Sequence, residues 1–201
     1  MTDHFALLNE PRRPWLDVDS LKQKFLALAS ESHPDRFHNA SESQKAEVTK
    51  RYAELNAAHA CLAEPKLRLI HLLELELGAK PKDIQQIPAA LADLFASVAA
   101  DCRNADIFLA EKAKATSPLI QVQLFERGQD WVEKLNILQR KLNELREKQI
   151  EELKSLDALW VSGNAEMHGK ILSRLEELYR LFGYLNRWNN QIQQRVVQLS
   201  L

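Results

Sequence analysis

Ser32, His33 and Asp35 stand within four residues of one another, around Pro34, where an amphipathic pattern stops. A hydroxyl, an imidazole and a carboxylate are the parts of a nucleophilic triad. That chemistry recruits its groups from separate elements, so that the imidazole faces both partners at once. Neighbours across a proline corner do not align that way. A metal site is the second option, because His33 and His38 lie close together. No cysteine and no i, i+4 histidine pair completes a ligand set beside them, and His4, His59, His71 and His168 are scattered along the chain. His59 and His71 fall on apolar helical faces and read as satisfied core histidines. Neither a P-loop nor a GxGxxG run occurs, so nothing marks a nucleotide pocket. Pairs of Asp and Glu at helical spacing read as solvated faces rather than acid–base pairs. These residues point to no enzyme, no resident metal and no cofactor. What remains is an exposed loop with a rigid corner. Pro34 fixes the turn and displays His33 and Asp35 as partners for charged groups on another protein.

The elements that must position this corner are helical. Of 201 residues only 5 are Gly and 7 Pro, while Leu, Ala, Glu, Gln and Lys dominate. These are strong helix formers, and an all-α fold is expected. A short helix over residues 4–9 carries Phe5 and Leu8, and Pro11 and Pro14 end it. Asp17 is a natural N-cap for a second helix, with Leu21, Phe25 and Leu28 on its buried face. Pro34 stops that helix. Ser41 to Gln44 fits a capping box that opens a third helix, with Val48, Tyr52, Leu55, His59 and Leu62 inward. The short loop makes the second and third helices antiparallel. Pro65 starts a fourth helix at its first turn, and Gly78 closes it. Residues 79–88 read as a linker.

Beyond the linker the helices lengthen. One over about 89–115 turns Leu91, Leu94, Phe95 and Val98 inward. The next starts at Ser117-Pro118 and runs to about 160, with a weak point at Gly128. After a turn at 162–164, the last helix carries a near-heptad seam: Met167, Ile171, Leu175, Leu178, Phe182, Leu185, Trp188, Ile192 and Val196. Two such helices make an antiparallel hairpin of about 50–60 Å. The seam packs within the chain or, alternatively, forms a dimer interface, so a monomer or a weak dimer is expected.

Lys+Arg 27 against Asp+Glu 28 leaves a net charge of -1, without the basic excess of a nucleic-acid binder. No apolar run approaches the roughly 20 residues of a membrane span. Cys61 and Cys102 stand apart and read as buried reduced thiols, and a cytoplasmic protein is expected.

Helix, His-Pro-Asp loop and antiparallel helix together resemble the J domain of DnaJ-type co-chaperones. The surroundings narrow the resemblance to the HscB (Jac) branch. "HFALLNEPRR" is similar to the opening element of that branch, and "LDVDSLKQKF" and "HPDRF" to the segments around its motif. "RYAELNAAHACLAEPKLRLIHLLELELG" is similar to its third and fourth helices. The match covers about residues 4–78. It implies a J domain over 1–78, the linker at 79–88 and a client-binding helical domain over 89–201. It further implies a chain that makes and breaks no bond itself, but docks on a DnaK/HscA-type chaperone ATPase and stimulates its ATP hydrolysis. His33, Pro34 and Asp35 match the motif required for stimulation. Lys22, Lys24 and Arg36 match the basic surface that meets an acidic patch on the ATPase. Asp35 would compete for an arginine in the ATPase switch region. The client implied is an iron–sulfur scaffold protein, held by Leu91, Leu94, Phe95 and Val98 with the acids Asp93 and Asp101. Two departures stand out. Glu31 and Ser32 replace the usual aromatic and basic residues before the motif, and the first helix of the C-terminal domain is poor in acids. A J-domain protein with another client, or a coiled-coil protein with an inactive J-like domain, are the competing readings.

Overall fold

The computed structural model describes residues 2–81, 87–88, 91–163 and 165–200. Every regular element among them is helical: α1 (His4–Leu7), α2 (Val18–Glu31), a 3-10 turn (Pro34–Phe37), α3 (Glu42–Ala63), α4 (Pro65–Leu77), α5 (Ala92–Lys112), α6 (Pro118–Ser162) and α7 (Ala165–Ser200). No described helix is long and apolar enough to cross a membrane. The chain forms two compact units, Met1–Lys82 with Glu151–Arg180, and Asp83–Ile150 with Leu181–Leu201. These units do not follow chain order, since α6 and α7 contribute to both. Half of the segment expected as a linker, residues 82–86 of 79–88, lies outside the described residues.

Local chemistry sets the helix ends. The Asp17 carboxylate accepts from the Ser20 amide at 2.8 Å and starts α2. Ser41 and Gln44 exchange side-chain and backbone bonds in a capping box at the start of α3. Pro65 opens α4 as expected, and the Glu64 carboxylate adds a cap by accepting from the Leu67 amide at 2.9 Å. Gly78 ends α4 at φ 71, a left-handed conformation that glycine adopts without strain. α6 is continuous across Gly128, so the expected weak point is no break. At the end of α6, a Cβ on Gly163 would lie 2.6 Å from the Leu159 carbonyl oxygen, so the turn requires glycine.

In the first unit, Phe5, Leu8, Leu21, Leu55, Leu62, Leu69, Leu72 and Leu73 are fully buried. Phe25, Leu28, Val48 and Tyr52 are half-buried, and Ala29 and Ala58 are buried beside them. The extended segment between α1 and α2 is pinned residue by residue. The Arg12 carbonyl accepts from Trp160 Nε1 at 3.1 Å. Arg13 Nε donates to Asp157 at 2.9 and 3.1 Å, and its Nη2 also donates there. The Pro14 carbonyl accepts from Arg68 Nε at 2.8 Å, and the Trp15 amide donates to Asp157 Oδ1 at 3.1 Å.

The second unit is built on α5, the first two-thirds of α6 and the end of α7. Its core includes Leu91, Val98, Cys102, Phe108, Leu135, Leu142, Leu185, Trp188 and Ile192. The heptad seam is therefore mostly intramolecular. Ile171, Leu175 and Leu178 are buried in the first unit and Phe182, Leu185, Trp188 and Ile192 in the second, whereas Met167 is exposed.

Asp157 is 3% exposed and holds two points of the proline-rich segment. Removing one partner of a buried ion pair costs about 3–5 kcal/mol. Arg13 is partly exposed and can rehydrate. Asp157→Ala should therefore destabilise the first unit by roughly 2–3 kcal/mol. Urea unfolding followed by the fluorescence of Trp15 and Trp160 measures this, and an unchanged midpoint would refute it.

Candidate functional site

The His-Pro-Asp corner sits between α2 and α3. α2 ends at Glu31 with the Ser32 amide bonded to the Leu28 carbonyl at 3.2 Å. His33 then takes extended backbone, φ -72 and ψ 127, as a residue before proline must. Pro34 begins the 3-10 turn. His33 caps that turn with its own ring, as Nδ1 accepts from the Asp35 amide at 3.3 Å. This bond places the proton of a neutral His33 on Nε2. The Arg36 amide donates back to the His33 carbonyl at 3.0 Å. An edge contact with Tyr52, centroids 5.2 Å apart, ties the imidazole to α3. Asp35 is the outward member, its side chain 89% exposed.

The three basic residues assigned to the same surface differ in availability. Lys22 is exposed. Lys24 pairs with Glu10 at 2.8 Å, and Glu10 is itself nearly buried, so this charge is largely committed inside the unit. Arg36 Nη1 donates to the Ser30 carbonyl at 3.1 Å, folding its guanidinium back over the end of α2. This places a positive group where the helix presents free carbonyls. Sequence pattern missed Tyr52 as a support for His33 and Glu10 as the partner of Lys24. Tyr52 stands at a core-like position, and Glu10 lies in a different segment from Lys24.

The six residues assigned to the client do not form one surface. Leu91 and Val98 are 4% and 1% exposed and belong to the core of the second unit. That fits their expected inward orientation and leaves neither side chain accessible to a partner in this structure. Leu94 is partly buried against the same core. Phe95 is exposed and packs against Trp188 at 5.9 Å between centroids. Asp101 is bound by Lys134 at 2.6 Å. Asp93 remains exposed in the first turn of α5.

Histidine chemistry departs from expectation in two places. His71 is satisfied, its Nε2 accepting from the His4 amide at 3.0 Å. His59 is not: it stacks on Phe25 at 4.4 Å, and its Nε2 is buried without a hydrogen-bond partner. The scatter of histidines along the sequence is also misleading, because α1, α3 and α4 bring His4, Cys61 and His71 together. One ligand atom from each lies within 4.8 Å of the others. Both cysteines are free, Cys102 buried and Cys61 half-buried.

Helix, corner and antiparallel helix define an all-α chain with a J-domain-like hairpin. Over 72–80 residues the chain is similar in sequence to HscB co-chaperones, and its fold is similar to that of two solved HscB structures. A co-chaperone protein HscB homolog from Bordetella pertussis is 38% identical over 72 residues, which are 36% of this chain and 42% of that protein. Its counterpart from Paraburkholderia phymatum is 36% identical over 80 residues, or 38% and 46% of the two chains. The chain spans less than half the length of the curated relatives it matches. The solved structure of chaperone HscB from Vibrio cholerae superposes with a TM-score of 0.61, covering 98% of this chain and 99% of that one at 20% identity. The human co-chaperone HscB gives 0.59, 98%, 81% and 17%. At such identities the structures speak for the fold, and the match covers 98% of this chain in both cases. No family model matches the chain.

Burial holds the pKa values of His4, His59 and His71 below the ordinary 6.5, with Lys22 adding to the effect at His59 and His4 at His71. The unfolded chain takes these protons near the ordinary value, and the folded chain takes them only at lower pH. Between the two, the unfolded state binds more protons, so stability falls as pH drops. The urea midpoint of the first unit should therefore be lower at about pH 5 than at about pH 7.5. His59→Phe, which keeps the ring contact and removes the orphan nitrogen, should lessen the drop. An acid-side midpoint that rises would contradict the sign.

Proposed function

We propose that this chain is a J-domain co-chaperone that stimulates ATP hydrolysis by a DnaK/HscA-type chaperone and presents an iron–sulfur scaffold protein to it for cluster assembly. The observation that carries the reading is the His33-Pro34-Asp35 corner. Its backbone and imidazole are fixed by local bonds, while the Asp35 carboxylate is 89% exposed. A solvated carboxylate on a fixed backbone suits competition for an arginine on another protein. The pairing is charge-assisted, and the docking partner needs no pocket on this side. The relatives named as HscB co-chaperones support the same reading over matches of 72 and 80 residues. Lys22 supplies an exposed cation to the docking face, and Arg36 a partly committed one. With Lys24 held by Glu10, the attraction to an acidic patch is weak, which suits a fast transient encounter. The chain acts by biasing its partner's conformational equilibrium. A cytoplasmic setting fits such a partner.

A second reading keeps the J domain and changes the client. It is favoured by the burial of Leu91 and Val98, which leaves Phe95 and Asp93 as the exposed members of the assigned set, with Leu94 and Asp101 partly buried.

Purified protein should accelerate single-turnover ATP hydrolysis by its DnaK-type partner, and His33→Gln should return the rate to the unstimulated value. A charge-assisted bond is worth about 1.5–3 kcal/mol, so Asp35→Asn should weaken the coupling roughly 10- to 150-fold. Full stimulation by either variant would refute the mechanism. A pull-down with the iron–sulfur scaffold separates the clients: stimulation without scaffold binding selects the second reading. No stimulation, together with a mass that grows with concentration, would select a structural coiled-coil protein with an inactive J-like domain.

A further inference from the structure

We propose that His4, Cys61 and His71 form a binding site for one zinc ion that clamps α1, α3 and α4 together. The three residues are far apart in sequence, and their possible ligand atoms converge to within 4.8 Å of one another. Two imidazoles and a thiolate are a borderline-soft donor set that suits Zn²⁺. Tetrahedral zinc, with Zn–N near 2.0–2.1 Å and Zn–S near 2.3 Å, holds its ligand atoms roughly 3.3–3.8 Å apart. Side-chain movements of about 1 Å therefore close the set.

An independent observation points the same way. His4 Nδ1 is buried and has no hydrogen-bond partner. Buried polar nitrogens are nearly always paired, so an orphan with a thiol and a second imidazole nearby calls for an occupant. The His4 and His71 rings lie 4.5 Å apart, and Phe5 stacks on His71 at 5.7 Å, so both imidazoles are held in place. Cys61 and His71 also line a cavity of about 310 Å³ with Glu74 and Lys80. That cavity gives the ion an entry path and leaves room for a water as fourth ligand, the arrangement of an open zinc site.

The proton balance is simple. Burial pushes the Cys61 thiol up to about 11 and keeps both histidines neutral at physiological pH. The imidazoles are thus ready to bind. The thiol S–H bond breaks as the S–Zn bond forms, and one proton passes to solvent. Cys61 Sγ, 3.5 Å from the Leu67 carbonyl, gives up only a weak contact. The His4 amide gives up its bond to His71 Nε2, because coordination at either ring nitrogen changes the tautomer or occupies that lone pair. One neutral hydrogen bond is exchanged for bonds to the metal.

Cobalt(II) serves as the probe, added to the full-length, untagged, reduced protein. One equivalent should bind with a thiolate-to-cobalt charge-transfer band and release of about one proton per ion, and zinc should then displace the cobalt without further proton release. The band should vanish in Cys61→Ser and persist in Cys102→Ser. His4→Gln should weaken zinc binding at least about tenfold. Zinc should raise the thermal midpoint of the wild type and not that of Cys61→Ser. Circular dichroism of the metal-free variants shows that they are folded. No charge-transfer band in the wild type, or a band that survives Cys61→Ser, would overturn the proposal.

Discussion

Asp157 accepts from Arg13 and from the Trp15 amide, and Arg68 donates to the carbonyls of Pro14 and Leu62 at 2.8 and 2.5 Å. These bonds are the constraint on which the first unit depends. The segment they hold contains Pro11 and Pro14 and lies between helices, so its backbone has no regular partner. Buried backbone polar groups need partners, and here side chains from α4 and α6 supply them. Arg68 is 1% exposed, and burial lowers its pKa to about 10, with Glu64 and Asp157 opposing the drop. A buried guanidinium is tolerated because carbonyls and a nearby carboxylate replace its water.

The placement of the corner follows from that anchoring. With the segment fixed, Asp17 stands where it caps α2, and Glu10 stands where it pairs with Lys24. The start of α2 is thereby defined, and Leu21, Leu55, Ala58 and Leu62 set how α2 lies against α3. The corner itself has no buried residue. It relies on short-range bonds, Asp35 amide to His33 ring and Arg36 amide to His33 carbonyl, plus the Tyr52 edge. Stability comes from one end of the hairpin and display from the other.

What the sequence showed plainly was local. Asp17, Ser41–Gln44, Pro65 and Gly78 mark helix ends because each acts on backbone groups within a few residues. The His-Pro-Asp corner was legible for the same reason. Pairings set by topology were not. Arg13 and Asp157 are 144 positions apart, and nothing in either neighbourhood names the other. The division at 79–88 follows the chain, whereas the compact units group residues 151–180 with the N-terminal part. Leu91 and Val98 show a related limit. An apolar stripe on α5 reads equally as core or as contact surface, and only its burial against Trp188 and its neighbours decides. His4, Cys61 and His71 looked unrelated because helix packing, not spacing, brings them together.

The corner's composition also accounts for the division of labour between its two polar side chains. His33 spends its Nδ1 lone pair and its ring edge inside the unit, on the Asp35 amide and on Tyr52. It thereby stiffens the turn. Asp35 contributes its amide to that structure, and its carboxylate, 89% exposed, lies 3.6 Å from His33 Nδ1. Pro34 joins the two because it forces His33 into extended backbone while entering the following turn at its own preferred φ. Exchange of either polar residue would therefore act differently. Changing His33 loosens the support as well as the contact, whereas changing Asp35 to asparagine removes the charge and leaves the support standing.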